Sequence, residues 1–321
     1  AFLFSRGFIK TGLGKRIAYN LIAAFGSSSL RLAYALALSD LILAPATPSN
    51  TARVGGVIMP ITTSLAKAFG SEPQDGPRKI GSFLMQSIYQ VNTITSAMFQ
   101  TSMAGNTLVA ALALQSFGIG ITWGDWAMAA IVPGIIALIV MPYFIYKVYP
   151  PEIKDAREAQ QMIKEELKGL GKMSFQEWVM LGVFILALVL WATSQFTKID
   201  ATTVAFLGIS ILLATSVLVW DDVKSEKGAW DTLVWMGTLM GFAGFLSKLG
   251  FIKWATVLVG GYIPEGSWII AFVIAVVINT YSHYVFASLT AHISAMFVAF
   301  SAIAISAGAP PMLTLLMIAF T

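Results

Sequence analysis

Three runs of this chain contain no Asp, Glu, Lys or Arg: residues 80–124, 178–197 and 266–321. Each run is long enough for one or more of the roughly 20-residue apolar spans that cross a bilayer. A soluble core of the same size would interleave polar positions at helical or strand spacing, and these runs do not. Composition agrees, with 57% hydrophobic and 11% charged residues among 321, against about a quarter charged in soluble domains. A transmembrane β-barrel alternates apolar and polar residues, whereas Trp178 to Trp191 is apolar all round, so the spans are predicted to be helices. The predicted fold class is all-α, integral to the membrane and polytopic.

The formal net charge of +4 suits basic cytoplasmic loops, and nothing in it calls for nucleic acid. With no cysteine, the sequence has no disulfide framework, thiolate metal site or cysteine nucleophile. It contains no Walker motif, no His-Glu-x-x-His and no catalytic triad candidate. No metal and no cofactor is therefore expected. Most tryptophans, Trp123, Trp126, Trp178, Trp191 and Trp220 among them, fall near segment ends, as in an aromatic belt.

Along the chain, residues 1–29 carry Arg6, Lys10, Lys15 and Arg16 and read as the end of one region with a positive turn. Residues 30–114 form a second region. In it, Leu30–Pro45 and Val54–Phe69 are short apolar arms around Thr47-Pro48-Ser49-Asn50-Thr51, a pattern that predicts a re-entrant hairpin. Ile80–Leu114 follows, uncharged but crowded with Gln86, Gln90, Asn92, Thr95, Ser96 and Asn106, too polar for a lipid-facing helix. Residues 115–149 hold a further span, Trp126–Tyr149. Residues 150–177 balance Lys and Arg against Asp and Glu, predicting a helix on the membrane surface. Residues 178–265 supply spans at Trp178–Phe196, Ala201–Trp220, Thr232–Leu246 and, weakly, Phe251–Tyr262. Residues 266–321 hold a second hairpin, broken at Ser288-Leu289-Thr290. The first residue is Ala1 and the last, Thr321, lies within an apolar segment, so a fragment of a longer chain is expected.

The two breaks share a pattern. Ser49-Asn50-Thr51-Ala52-Arg53 and Ser288-Leu289-Thr290-Ala291-His292 both read Ser-x-Thr-Ala-basic, each between two short apolar arms. Repeats of this kind around a midplane site mark secondary transporters built from inverted repeats. Hydroxyls, an amide and the free N–H groups of a broken helix can hold carboxylates. Arg53 and His292 occupy the same place in the two breaks, and a charge at bilayer depth costs about 2.5–3.5 kcal/mol on insertion scales. Either they place fixed positive charge beside an anionic substrate, or Arg53 pairs with Asp40 or snorkels while His292 is a packed neutral histidine. His283 lacks a counterpart in the first repeat and reads as structural. Ser102, Gly105 and Asn106 mark either a discontinuity in the long polar helix or a small-residue helix contact.

At these residues the chain resembles the divalent-anion:sodium symporter family, in particular the branch of the bacterial citrate/succinate antiporter and the plastid 2-oxoglutarate/malate translocator. The likeness rests on Leu41 to Arg53 (LILAPATPSNTAR), with Lys10-Thr11-Gly12-Leu13-Gly14 upstream. Downstream it continues through Thr122-Trp123-Gly124-Asp125-Trp126, Tyr149-Pro150-Pro151, Trp220-Asp221-Asp222 and Phe286-Ala287-Ser288-Leu289-Thr290-Ala291. It implies an elevator-type carrier in which a transport domain with both hairpins slides against a dimer-forming scaffold. Ser49, Asn50, Thr51, Ser288 and Thr290 would then contact substrate carboxylates. Leu289 stands where sodium-coupled members have a second Asn, and Arg53 and His292 add cations, so exchange of di- or tricarboxylate anions is favoured over sodium coupling. The expected partners are these anions, membrane lipid and a second copy of the chain. The expected location is a bacterial cytoplasmic membrane or an organellar inner membrane. A sodium-coupled symporter, an intramembrane enzyme using Asp40, His283 and His292, and a non-transporting receptor are the alternatives.

Overall fold

The computed structural model describes residues 2–47, 49–250, 254, 257, 268–286 and 288–321. All regular structure among them is helical apart from one isolated bridge between Ser28 and Asp155. Five helical segments are long and apolar enough to cross a membrane: Ser29–Ala46, Trp123–Val148, Phe175–Ala192, Trp268–Val285 and Leu289–Ser306. The chain forms two compact units, residues 1–103 with 127–227, and residues 104–126 with 228–321. The weak span expected at Phe251–Tyr262 and the boundary at residue 265 fall outside the described residues, Trp254 and Val257 apart.

In the first unit, Phe2–Thr11 and Leu13–Phe25 meet at Gly12, whose φ of +77° is the left-handed conformation that glycine adopts without a Cβ clash. Phe2–Thr11 packs on Phe175–Ala192 and Ala201–Ala214. There Phe8 meets Phe184 edge-on at 5.2 Å, and a Cβ on Gly208 would lie 2.3 Å from Phe4, so only glycine admits the approach. Leu13–Phe25 packs on Ser29–Leu43 and on Arg157–Gly169, the amphipathic helix read from residues 150–177. That helix buries Ala159 and Ile163 and directs its charges outward, and Gln160 donates to the Ala23 carbonyl at 2.8 Å. Its apolar stripe is thus satisfied by protein.

Several spans end earlier than hydropathy predicts, each for a local reason. Ala201–Ala214 stops because Thr215 turns its hydroxyl back to the Ile211 carbonyl and Ser216 takes a φ of +58°, so Trp220 opens a separate short helix, Trp220–Ser225. Phe175–Ala192 likewise stops short of Phe196, and Lys198 at φ +59° ends the extra turn Ser194–Thr197. Conversely, the first hairpin arm gains length from a 3-10 turn. Ser29–Ala46 has 18 residues, about 27 Å of helix, at the lower limit for a span rather than clearly below it.

The long polar segment is two helices, Gly81–Met98 and Ala104–Phe117, separated by residues 99–103. Gly81–Met98 packs on Ser29–Leu43 and Met59–Ala68 within the first unit. In the second unit, Trp268–Ser282, Val298–Ser306 and Pro311–Phe320 pack against one another. Ala275, Ala304 and Ala309 form the contact, with Phe272 and Phe300 alongside, because small residues let helices approach without a polar driving force. Trp126 closes on Phe320 edge-on at 5.3 Å.

Candidate functional site

Each unit contains one hairpin, and the two are built alike. In the first, Ser29–Leu43 passes into a 3-10 turn Ala44–Ala46, a break, a single turn Asn50–Arg53, a wide π turn Val54–Ile58 and the helix Met59–Ala68. In the second, Trp268–Ser282 passes into His283–Val285, a break, Leu289–His292, Ile293–Phe297 and Val298–Ser306. The same offset separates Ala44 from His283, Asn50 from Leu289, Val54 from Ile293 and Met59 from Val298. The repeat read from five residues therefore extends over whole hairpins.

Local chemistry explains the first break. Pro45 has no N–H to continue the helix, and Thr47 turns its hydroxyl to the Leu43 carbonyl at 2.7 Å. Ser49 caps the returning helix by accepting from the Ala52 N–H at 3.2 Å, and Asn50 Oδ1 accepts from the Thr51 N–H at 2.9 Å. Ser49 and Asn50 are half-buried and Thr51 is exposed. At the second break Ser288 is exposed and makes no side-chain cap, and Thr290 is half-buried.

Beneath the first tip, Arg53 is 0% exposed. Its Nε donates to Asp40 Oδ1 at 2.9 Å, and Nη1 to the carbonyls of Thr47 at 2.9 Å and Ser102 at 3.1 Å. Nη2 donates to the hydroxyls of Thr95 at 3.1 Å and Ser96 at 2.9 Å. A guanidinium has five N–H groups, so all are engaged. Asp40 in turn accepts from Thr95 Oγ1 and from Asn92 Nδ2, the latter at 3.4 Å. Of the two readings open for Arg53, the structure contains the pairing with Asp40. A guanidinium buried without a counterion would cost far more than the paired one.

Beneath the second tip, the equivalent of Asp40 is Asn279 and that of Arg53 is His292, which is 2% exposed. His292 Nε2 shares a hydrogen bond of 2.8 Å with Ser282 Oγ, and Ser282 donates to the Asn279 carbonyl. The rings of His283 and Phe286 lie 5.0 and 5.1 Å from that of His292. Asn279 donates to the Ile318 carbonyl and Thr321 Oγ1 at 3.2 Å each. Where the first hairpin holds a net-neutral ion pair, the second holds an amide and an imidazole at the equivalent positions.

Ser102 is buried, and its carbonyl joins the Arg53 cluster while its hydroxyl donates to the Ser96 carbonyl at 2.6 Å. Gly105 and Asn106 are also buried, but they start the helix Ala104–Phe117, which packs on Leu289–His292 and on the π turn of the second hairpin. The break at residues 99–103 is the discontinuity foreseen as one of two readings there. Thr95, Ser96 and Asn279 were not singled out as site residues. The spacing of Asn279 from His292, equal to that of Asp40 from Arg53, was the available signal.

The sodium:sulfate symporter transmembrane-region family matches residues 1–321 of the chain. The chain belongs to this family. A putative malate transporter of Bacillus subtilis is 52% identical over 321 residues, covering all of this chain and 67% of that protein. Chloroplastic dicarboxylate transporter 1 of Spinacia oleracea is 46% identical over 325 residues, covering all of this chain and 57% of that protein. An inner membrane protein of Escherichia coli is 44% identical over 322 residues, with 67% of its length covered. The chain thus spans between about half and two thirds of the relatives it matches, and it is a polytopic helical membrane protein of a transporter family rather than of an enzyme family.

Proposed function

We propose that the chain binds and exchanges dicarboxylates, or tricarboxylates such as citrate, across the membrane by alternating access, leaving the substrate chemically unchanged. The pair of like-built breaks supports this most directly: each presents hydroxyls beside a helix end in a segment long enough to span. The relatives named as malate and dicarboxylate transporters support the substrate class. Ser49, Asn50, Thr51, Ser288 and Thr290 contact carboxylates. Arg53 and His292 act from below by fixing the tips, and Ser102, Gly105 and Asn106 complete the surroundings. An elevator movement of inverted repeats within a homodimer is the architecture that goes with this reading.

Five oxygens surround the Arg53 guanidinium: Asp40 Oδ1, the Thr47 and Ser102 carbonyls, and the Thr95 and Ser96 hydroxyls. Such an oxygen shell is what a hard cation takes up. Here a covalently attached cation fills it, which favours exchange without sodium. Sodium-coupled symport is the second reading, favoured by the family's description.

The test is uptake into liposomes loaded with succinate, malate, citrate or 2-oxoglutarate, with and without sodium. Sodium-independent counterflow that collapses in Arg53→Ala is expected. Uptake into empty liposomes that requires sodium would move the assignment to symport.

A further inference from the structure

Helix Gly81–Met98 is polar on two opposite sides, and the hairpin accounts for only one. Ser87, Thr95 and Ser96 are buried, the last two against Arg53 and Asp40. On the other side Ser82, Gln86, Gln90 and Thr93 follow one another at spacings of four, four and three, which places them in a single stripe. Gln86 and Thr93 are exposed and Ser82 and Gln90 half-buried. Ser82 and Thr93 turn their hydroxyls back to the Pro77 and Tyr89 carbonyls, but Gln86 and Gln90 make no hydrogen bond among the described residues. The stripe borders a groove of about 570 Å³, in which Ser82, Gln86 and Gln90 face Met141, Phe144 and Tyr149. At its end the Arg78 guanidinium lies 4.7 Å from the centre of the Tyr149 ring.

Helix polarity decides what meets these amides. Gly81–Met98 is not among the segments apolar enough to cross a membrane, and Gln90 stands in its third turn, about 13 Å along the axis from Gly81. An amide without a partner is costly among acyl chains, so amides along such a helix line protein or water-filled space. Arg78 gives the groove an end of the sign that draws anions in.

We propose that the Ser82–Gln86–Gln90–Thr93 face is wetted and forms one wall of an aqueous approach for the anionic substrate, with Arg78 at its mouth. The substrate half of this rests on the carboxylate-carrier reading. Because the chain has no cysteine, Gln86→Cys, Gln90→Cys and Ile139→Cys each add a single thiol to it. Ile139, 59% exposed on residues 127–148, apolar and outside the lining of the groove, is the control. In membrane vesicles these proteins are treated on both faces with membrane-impermeant thiosulfonates, one anionic and one cationic, with and without succinate.

Rapid labelling of both glutamine positions but not of Ile139→Cys is expected, slowed by succinate, with the anionic reagent preferred. The added substitution Arg78→Gln should lower that preference by about tenfold. Resistance of Gln90→Cys to both reagents would overturn the wetted face. Labelling indifferent to charge, to Arg78 and to succinate would overturn the substrate approach. Since labelling needs no turnover, it reads out even where exchange fails, and failure of exchange in the unmodified protein would remove the carrier reading alone.

Discussion

The two hairpins have the same succession of turns but are held in different ways. In the first, Arg53 ties the tip through the Thr47 carbonyl, the helix Gly81–Met98 through Thr95 and Ser96, and the break through Ser102, with Asp40 as counterion. In the second, His292 bonds to Ser282 of its own first arm, and two aromatic rings cover it. The first tip is also capped by Ser49, while Ser288 caps nothing among the described residues. One backbone design therefore tolerates either an arginine–aspartate brace or a histidine brace, and the first reaches further. What differs is how much structure fails when the brace is removed.

The largest expected effect is that of Arg53→Ala. It leaves a buried carboxylate and several oxygens unpaired, and removing one partner of a buried pair costs about 3–5 kcal/mol. His292→Ala deletes one side-chain hydrogen bond, a loss of about 1–3 kcal/mol. Thermal melts of the detergent-purified protein read both. If the two variants melt together, the arginine brace does no more than the histidine one and the contrast between the hairpins is lost.

A sharper version grafts one brace onto the other. Asp40→Asn and Arg53→His each strand a buried charge, whereas the double variant recreates the Asn–His pair of the second hairpin. The double variant is expected to be more stable than the sum of the singles by about 1–3 kcal/mol, the coupling of residues in contact. Additive losses in the same melts would mean that the equivalence is positional and not energetic.

Much of this was legible in the sequence, and what was not has a physical reason. Charge-free runs placed the helices because no soluble fold leaves such lengths unpunctuated. The paired Ser-x-Thr-Ala-basic motifs marked both breaks because small polar residues interrupt an otherwise apolar run in each, although only Ser49 caps its helix. The helix ends at Thr193 and at Thr215–Ser216 were missed, since hydropathy does not register a back-bonded threonine or a left-handed residue. The partners of Arg53 were missed as a set: Thr95, Ser96 and Ser102 lie more than forty residues away, and only folding shows which hydroxyls among so many a guanidinium reaches.

A smaller effect separates the tips themselves. Ser49→Ala removes the cap on Ala52, with a stability loss of about 0.5–2 kcal/mol. Ser288→Ala removes no cap, so its melt should stay at that of the unmodified protein while substrate affinity falls. Equal melting losses at the two serines would show that Ser288 caps its helix after all.

The smallest effect comes from an ion pair in the first unit whose carboxylate is buried but whose cations are partly exposed, a floor against which the wholly buried brace can be measured. Lys10 and Arg6 both pair with Asp222, and Lys10 is 37% exposed. Burial alone would raise the Asp222 pKa, but the hydrogen bonds from Lys10 and the Val219 N–H, with the charges of Lys10 and Arg6, outweigh it and lower the value. Asp222 thus ionises more readily folded than unfolded. Its contribution is present above about pH 4, the ordinary aspartate value, and fades as pH falls further through the lowered folded value. Asp222→Asn should cost about 1 kcal/mol or less at pH 7, as exposed pairs do, and its melting difference from the unmodified protein should shrink below pH 4. A loss at pH 7 as large as that of Arg53→Ala would mean that burial of the cation is not what gives the Asp40–Arg53 brace its weight.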